Sequence, residues 1–150
     1  MSGSTKDFTG CVISDGHGRV LLVHHTYGNK EWTLPGGVVE DGEPAWEAMK
    51  RECREEIGVE IEGSLAAVYF MAHRNAYGFV FRATSMSGLP APDGEEIDGI
   101  GYFGLEQLPS PMSNFTIQRI EDVLQSEDTV HLRTQHISDY RVGDPEKIRR

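Results

Sequence analysis

The segment from Gly37 to Val59 constrains this chain more than any other. It joins a glycine-rich acidic loop, Gly37-Val38-Val39-Glu40-Asp41-Gly42-Glu43, to a run without turn residues that ends at Gly58. Pro44 suits a first helical position, where its missing N–H has no partner to lose, and Gly58 suits the position just past a helix end. A helix is therefore predicted over Pro44 to Ile57. With Ala45 as origin, Met49 falls at about 40°, Cys53 at about 80°, Trp46 at about 100° and Ile57 at about 120°. That is an apolar stripe of the width that packs a helix onto a core.

Glu55, Glu52 and Glu56 fall at about 280°, 340° and 20° on the same wheel, so three carboxylates gather along one edge of the stripe. Glu52 faces Glu55 at i+3 and Glu56 at i+4, and each like-charge pair costs an isolated helix about 0.2 to 0.5 kcal/mol. The negative end of the helix dipole lies close by and adds to the cost. A cation that neutralises the cluster resolves the conflict. Hard carboxylate oxygens suit Mg²⁺ or Mn²⁺, ions that keep waters and accept phosphate oxygens. An acidic centre thereby becomes one that favours an anionic phosphate substrate. Arg51, at about 240°, is flanked by Glu47 and Glu55 and can hold Glu55 while staying outside a metal shell.

The remainder reads as alternating β and α elements. Cys11-Val12-Ile13 and Val20 to Val23 flank Asp15-Gly16-His17-Gly18 and read as a β-hairpin. Tyr27 to Glu31 is a polar loop, Trp32-Thr33-Leu34 a short strand, and Pro35-Gly36-Gly37 a sharp turn leading into a loop over Val38 to Glu43. Strands are predicted over Leu65 to Met71, Tyr77 to Thr84 and Ile100 to Phe103, the last after an acidic loop from Asp93 to Asp98. Phe115, Ile117, Ile120, Val123 and Leu124 recur at helical spacing, giving a second helix from about Met112 to Gln125. The tail from Ser126 to Arg150 is polar, with a strand at Thr129 to Leu132 and a frayed end at Arg149-Arg150.

At 150 residues the chain has the size of one domain. No apolar run reaches the roughly 20 residues of a membrane span, and Met1 to Asp7 lacks a secretory pattern, so a cytoplasmic protein is expected. Cys11 and Cys53 sit in apolar patterns and read as reduced core residues. A net charge of -10 repels nucleic-acid polymers and anionic lipid, so neither is expected as a partner.

Gly37, five residues, Glu43, seven residues, Arg51-Glu52, apolar Cys53, Arg54, Glu55-Glu56, Ile57, Gly58 and apolar Val59 together resemble a complete Nudix box. Trp32 to Gly37 resembles the family's approach to the box, and Tyr102-Phe103 to Pro109 its closing strand and turn, so about Gly10 to Leu124 is covered. The resemblance implies an α/β fold, an α/β/α sandwich around a mixed β-sheet. It implies hydrolysis of a nucleoside diphosphate linked to another moiety, with Glu52, Glu55 and Glu56 as metal ligands and the carbonyl of Gly37 often joining them. Glu43 and Arg51 would support the loop and helix. The proton acceptor is open among Glu55, Glu56, Glu95 and Glu96, the last two because many members place a Glu in the loop before the closing strand.

Tyr27, Trp32, Phe70 and Phe81 are aromatics near the predicted pocket mouth that could stack on a base. His24, His25 and His73 lack metal-ligand spacing. A small nucleotide substrate and a monomer or homodimer are expected. Nucleoside triphosphates, ADP-ribose, dinucleoside polyphosphates and nucleotide sugars all carry the bond the box would address. A nucleotide-sensing domain without catalysis is the rival reading, but such domains usually show eroded glutamates, and here all three stand. A structural metal-binding protein would leave the glycine-rich loop without a role.

Overall fold

The computed structural model describes residues 5–125 and 127–149. The strands form two five-stranded sheets, both mixed. In one, β1 (Phe8–Val12) lies antiparallel to β4 (Gly36–Val38) and parallel to β6 (Ala76–Ser87), which pairs with β5 (Glu60–Met71) and so with an outer strand, β9 (His131–Gln135). In the other, β2 (Arg19–His25) is flanked by β7 (Ile97–Gly104) and β3 (Trp32–Thr33), followed by β8 (Met112–Ser113) and β10 (Val142–Gly143). The α/β class expected from sequence is the one observed.

Strand alternation sends side chains to two cores. Cys11, Leu21, Val23, Phe81 and Ile97 meet Met49, Cys53 and Ile57 of α1 (Ala45–Ile57). Val12, Val20, Leu22 and Val80 face the other way and meet Ile117, Ile120 and Val123 of α2 (Asn114–Gln125). The sheets are thus sandwiched by helices. Trp46 departs from its predicted place on the core stripe. It stands 57% exposed in the first turn of α1, where the sheet does not reach it.

The predicted hairpin is a corner. Asp15 holds the turn by accepting from the His17 N–H at 2.7 Å, and Ser14 bridges Val20. β1 and β2 then diverge into separate sheets, because β1 finds β6 and β4 while β2 finds β7 and β3. Pro44 caps α1 in an extended conformation and the helix starts at Ala45, one residue later than predicted. Gly58 takes φ 71° and donates its N–H to Arg54 O at 3.1 Å, as a residue past a helix end does. The loop predicted from Val38 begins inside a strand, since Phe8 holds Val38 in register.

β5 and β6 extend well beyond their apolar centres. Register shifts at Glu62/Gly63 and Leu65/Ala67 break the alternation by which their outer halves would have been recognised. β7 also begins earlier, absorbing Ile97 and Asp98 from the predicted acidic loop. Met112 and Ser113 are drawn out of the predicted helix into β8 by pairing with β3 and β10. Ser126, the first residue of the predicted tail, lies outside the described residues, as does Arg150. The predicted strand at Thr129 to Leu132 appears as β9, shifted to where β5 supplies a parallel partner. Arg149 is not frayed: its guanidinium meets Leu105 O at 2.9 Å and Glu121 at 2.8 Å, and Ile148 of α3 (Pro145–Ile148) joins the core. Among the described residues no helix is long and apolar enough to cross a membrane.

A buried carboxylate ties α2 to the first sheet. Asp122 is 3% exposed and accepts from Tyr69 Oη at 2.8 Å and from Arg133 Nε and Nη2 at 2.6 and 2.9 Å. Asp122→Ala leaves the Tyr69 hydroxyl without that partner, costing about 2 kcal/mol. Thermal unfolding should show Tm lowered by roughly 4 to 8 °C, and Asp122→Asn, which keeps an acceptor, should lose less.

Candidate active site

The loop between β4 and α1 is fastened by Arg51. Its Nε and Nη2 grip Glu43 at 2.8 and 3.1 Å, and Nη2 also donates to Val38 O at 3.0 Å. Glu43 in turn accepts from the Glu40 N–H at 3.0 Å. Arg51 holds the Glu43 carboxyl below its ordinary pKa, and the Glu43 hydrogen bond raises that of Arg51. The third nitrogen of this fork, Nη1, reaches Glu55 at 3.1 Å and Glu52 at 3.3 Å. Arg51 thus joins the loop to two of the three helix carboxylates, a bond to Glu52 that the helix wheel did not anticipate.

Glu52 lies under Gly37. A Cβ on Gly37 would stand 2.6 Å from the Glu52 carboxyl carbon and closer still to Oε2. Only a glycine lets the carboxylate come this near to β4. Burial pushes the Glu52 pKa up to about 7, against the pull of Arg51. Glu56, 4% exposed, accepts the Gly36 N–H at 3.1 Å, and burial pushes its pKa up to about 8 with the charges of Glu52, Glu96 and Asp93 adding to the rise. Glu55 is half-exposed. The structure therefore brings Glu52 and Glu56 together in a desolvated place and leaves Glu55 at its rim on Arg51.

Of the two loop glutamates, Glu96 acts on the cluster. Its charge is among the main influences that raise both Glu52 and Glu56. The loop is pinned by Thr26, which gives its N–H to Glu96 O at 3.0 Å and its hydroxyl to Glu95 O at 2.7 Å. Tyr27 follows, stacked on His25 at 4.7 Å. Burial first, then the charges of Glu56, Glu96 and Glu52, raise its phenol pKa.

The other predicted aromatics differ. Trp32 packs on His24 and Phe103, Phe70 packs on Tyr77, and Phe81 is 4% exposed in the core beside α1. Phe81 is therefore unavailable for stacking on a base. His24 pairs with Asp98 at 2.6 Å. Cys53 is buried, and its hydrogen bond with Cys11 and its burial push the thiol pKa far up, as befits a core residue.

One residue the sequence reading missed is Thr9. Its buried Oγ1 has no hydrogen-bond partner. Thr9 is in register with Gly37, and cross-strand neighbours share a face, so the hydroxyl lies on the side where Glu52 sits. Nothing local marks Thr9, because the pairing joins residues far apart in sequence.

Among the described residues no three His, Cys, Asp or Glu side chains are gathered closely enough to hold a metal ion as they stand, since Glu55 is drawn off by Arg51. The donor chemistry nevertheless fits a hard cation. Buried Glu56 and partly buried Glu52 repel one another and a third charge, Glu56 takes one hydrogen bond, and an unpartnered hydroxyl shares their face.

Fold and site together define an α/β sandwich protein with an acidic, oxygen-lined centre. The NUDIX domain family matches residues 6–123, and the chain belongs to that family of hydrolases. The crystal structure of a MutT NUDIX hydrolase from Burkholderia pseudomallei is similar with a TM-score of 0.71 and 30% identity, over 79% of this chain and 97% of that one. A NUDIX hydrolase from Nitrosomonas europaea shares the fold, with a TM-score of 0.70 and 23% identity over 91% of this chain and 81% of that one. The RNA pyrophosphohydrolase of Teredinibacter turnerae is 38% identical over 53 residues, which is 35% of this chain and 31% of that protein. The match to this curated relative thus spans under a third of its length.

Proposed function

We propose that this protein is a metal-dependent pyrophosphohydrolase that cuts the diphosphate linkage of a nucleoside diphosphate joined to another moiety. The observation that carries the reading is the convergence of partly buried Glu52, beneath Gly37, and buried Glu56, on the Gly36 N–H, with the charge of Glu96 acting on both. Glu52, Glu56, the Gly37 carbonyl and, on release from Arg51, Glu55 would hold Mg²⁺ or Mn²⁺. Such an ion would neutralise phosphate oxygens and make a water more acidic. Arg51 positions the carboxylates by fastening the loop to the helix. Water attacks phosphorus, a P–O bond forms as the bridging P–O bond breaks, and the proton passes to a carboxylate. Glu96 is the best placed acceptor, being outside the Arg51 network and close enough to influence both Glu52 and Glu56. Tyr27, beside the cluster and already stacked on His25, offers a ring face to a base.

Turnover of a nucleoside triphosphate, ADP-ribose, a dinucleoside polyphosphate, a nucleotide sugar and a 5′-triphosphorylated RNA tests the reading, with Mg²⁺, Mn²⁺ or chelator. Metal-dependent release from a small nucleotide is expected, and RNA should be the poorer substrate because the net charge is -10. Nucleotide binding without turnover anywhere would point to a sensor. Glu96→Gln should lower kcat by about 100-fold or more, as loss of a proton acceptor does, while Glu95→Gln leaves it within a factor of about two. Equal losses in the two variants would remove Glu96 from its role.

A further inference from the structure

On the other face of the first sheet a cavity of about 340 Å³ is walled by Phe8, Arg74, Phe115, Arg119 and Tyr140, among others. Phe8 and Thr9 point to opposite faces, so this cavity and the Glu52 cradle lie on the two sides of β1 and its neighbour β4, the edge strand. Its charge is unusual for this chain. Arg119 donates to Gln135 Oε1 at 2.8 Å and to Met71 Sδ at 3.6 Å, and lies 5.1 Å from the Tyr69 ring centre. Arg74 lies 4.7 Å over the Phe8 ring. Neither has a carboxylate partner among the described residues, although the chain carries 24 acidic side chains. Arg19, Arg51, Arg54, Arg133 and Arg149 all have one.

Burial lowers the Arg119 pKa, and no carboxylate opposes that effect. A guanidinium withdrawn from water without a counter-charge is costly, and the cost is recovered when an anion arrives. Gly78 opposes the guanidinium, where a Cβ would meet Nη2 at 3.3 Å, so space is kept for it. Glu31, also on the wall, is occupied by Tyr140 Oη at 3.3 Å and Asn29 Nδ2 at 3.2 Å. Arginine forks match phosphate oxygens, and the aromatic walls suit a base.

We propose that Arg119 and Arg74 form a phosphoryl-binding subsite, separate from the Glu52 and Glu56 centre, for a nucleotide phosphate that is not the one under attack. The phosphate belongs either to the far end of the substrate, reaching round β4, or to a separate nucleotide. The subsite does not depend on the hydrolase reading and is measured without metal.

Adenosine 5′-monophosphate and inorganic phosphate are titrated calorimetrically in EDTA into wild type, Glu56→Gln, Arg119→Gln and Arg74→Gln. Wild type and Glu56→Gln should bind adenosine 5′-monophosphate alike, and each arginine variant should bind about 10-fold or more weakly. Absence of binding by wild type, or unchanged binding by both arginine variants, overturns the proposal. Should Arg119→Gln fail to fold, Arg74→Gln decides alone. Kinetics then separate the two sources. A raised KM at unchanged kcat, with competitive inhibition by adenosine 5′-monophosphate, marks the far end of the substrate. An unchanged KM with non-competitive modulation marks a separate nucleotide. Lack of turnover would defeat the hydrolase reading and leave the calorimetry intact.

Discussion

Glu56→Gln is expected to lower metal-dependent turnover by about 10³-fold and, in metal-free protein, to raise Tm. The two effects share one cause. Glu56 is buried, takes a single hydrogen bond from Gly36, and faces the charges of Glu52, Glu96 and Asp93. Its folded pKa, near 8, lies above the ordinary 4.5. The ionised form therefore opposes folding: stability is lost as pH rises from about 4.5 and the loss is complete above about 8. Glutamine keeps an oxygen for the Gly36 N–H and carries no charge. In EDTA at about pH 8.5 the variant should unfold roughly 4 to 8 °C above wild type, a gain of about 2 kcal/mol, and near pH 4 the difference should vanish. Added Mg²⁺ or Mn²⁺ should stabilise wild type and leave the variant almost unmoved. An inactive variant that is also less stable at pH 8.5 would mean that Glu56 holds the fold rather than a cation.

Gly37→Ala and Gly36→Ala should part in opposite ways although the residues are adjacent. At Gly37 the added methyl meets the end of a flexible side chain, the Glu52 carboxyl. The carboxylate swings aside, the fold survives, and turnover should fall by about 100-fold as a ligand is misplaced. At Gly36 the methyl would meet the backbone of Thr9 and, at 2.7 Å, Gly10 Cα, in a conformation with φ 155° that favours glycine. β1 and β4 cannot separate without loss of their pairing, so Gly36→Ala should cost about 3 kcal/mol or more. Circular dichroism melts and steady-state kinetics on both variants read the contrast. Equal Tm losses would show that Gly37 serves the backbone and not Glu52.

Features carried by short-range periodicity were readable from the sequence. The helix predicted over Pro44 to Ile57, which begins at Ala45, its glycine end at Gly58 and the carboxylate edge follow from spacings within one segment, whereas the support that Glu43 and Arg51 give the loop was implied only by the family resemblance. Sheet assignment was not readable, because β1 and β2 look like a hairpin and choose partners far along the chain. The outer halves of β5 and β6 were hidden by bulges. Within the site, periodicity put Glu52, Glu55 and Glu56 on an equal footing, and only the tertiary structure grades them, with Glu56 buried, Glu52 partly buried and Glu55 held at the rim by Arg51. Choosing Glu96 over Glu95 needed the folded path of the loop before β7, whose Asp93 N–H meets Glu56 O at the end of α1 at 3.1 Å. Thr9, Arg74 and Arg119 gain meaning only from neighbours contributed by other strands, which no local pattern announces.

The most direct test of the central claim is hydrolysis in H₂¹⁸O, with product phosphates analysed by mass spectrometry for wild type and Glu56→Gln. Wild type with Mg²⁺ should place one ¹⁸O on a phosphate of the product, and the variant should release almost none. Label on a carbon-linked hydroxyl instead of phosphorus, or equal labelling by the two proteins, would contradict a Glu56-dependent attack on the diphosphate.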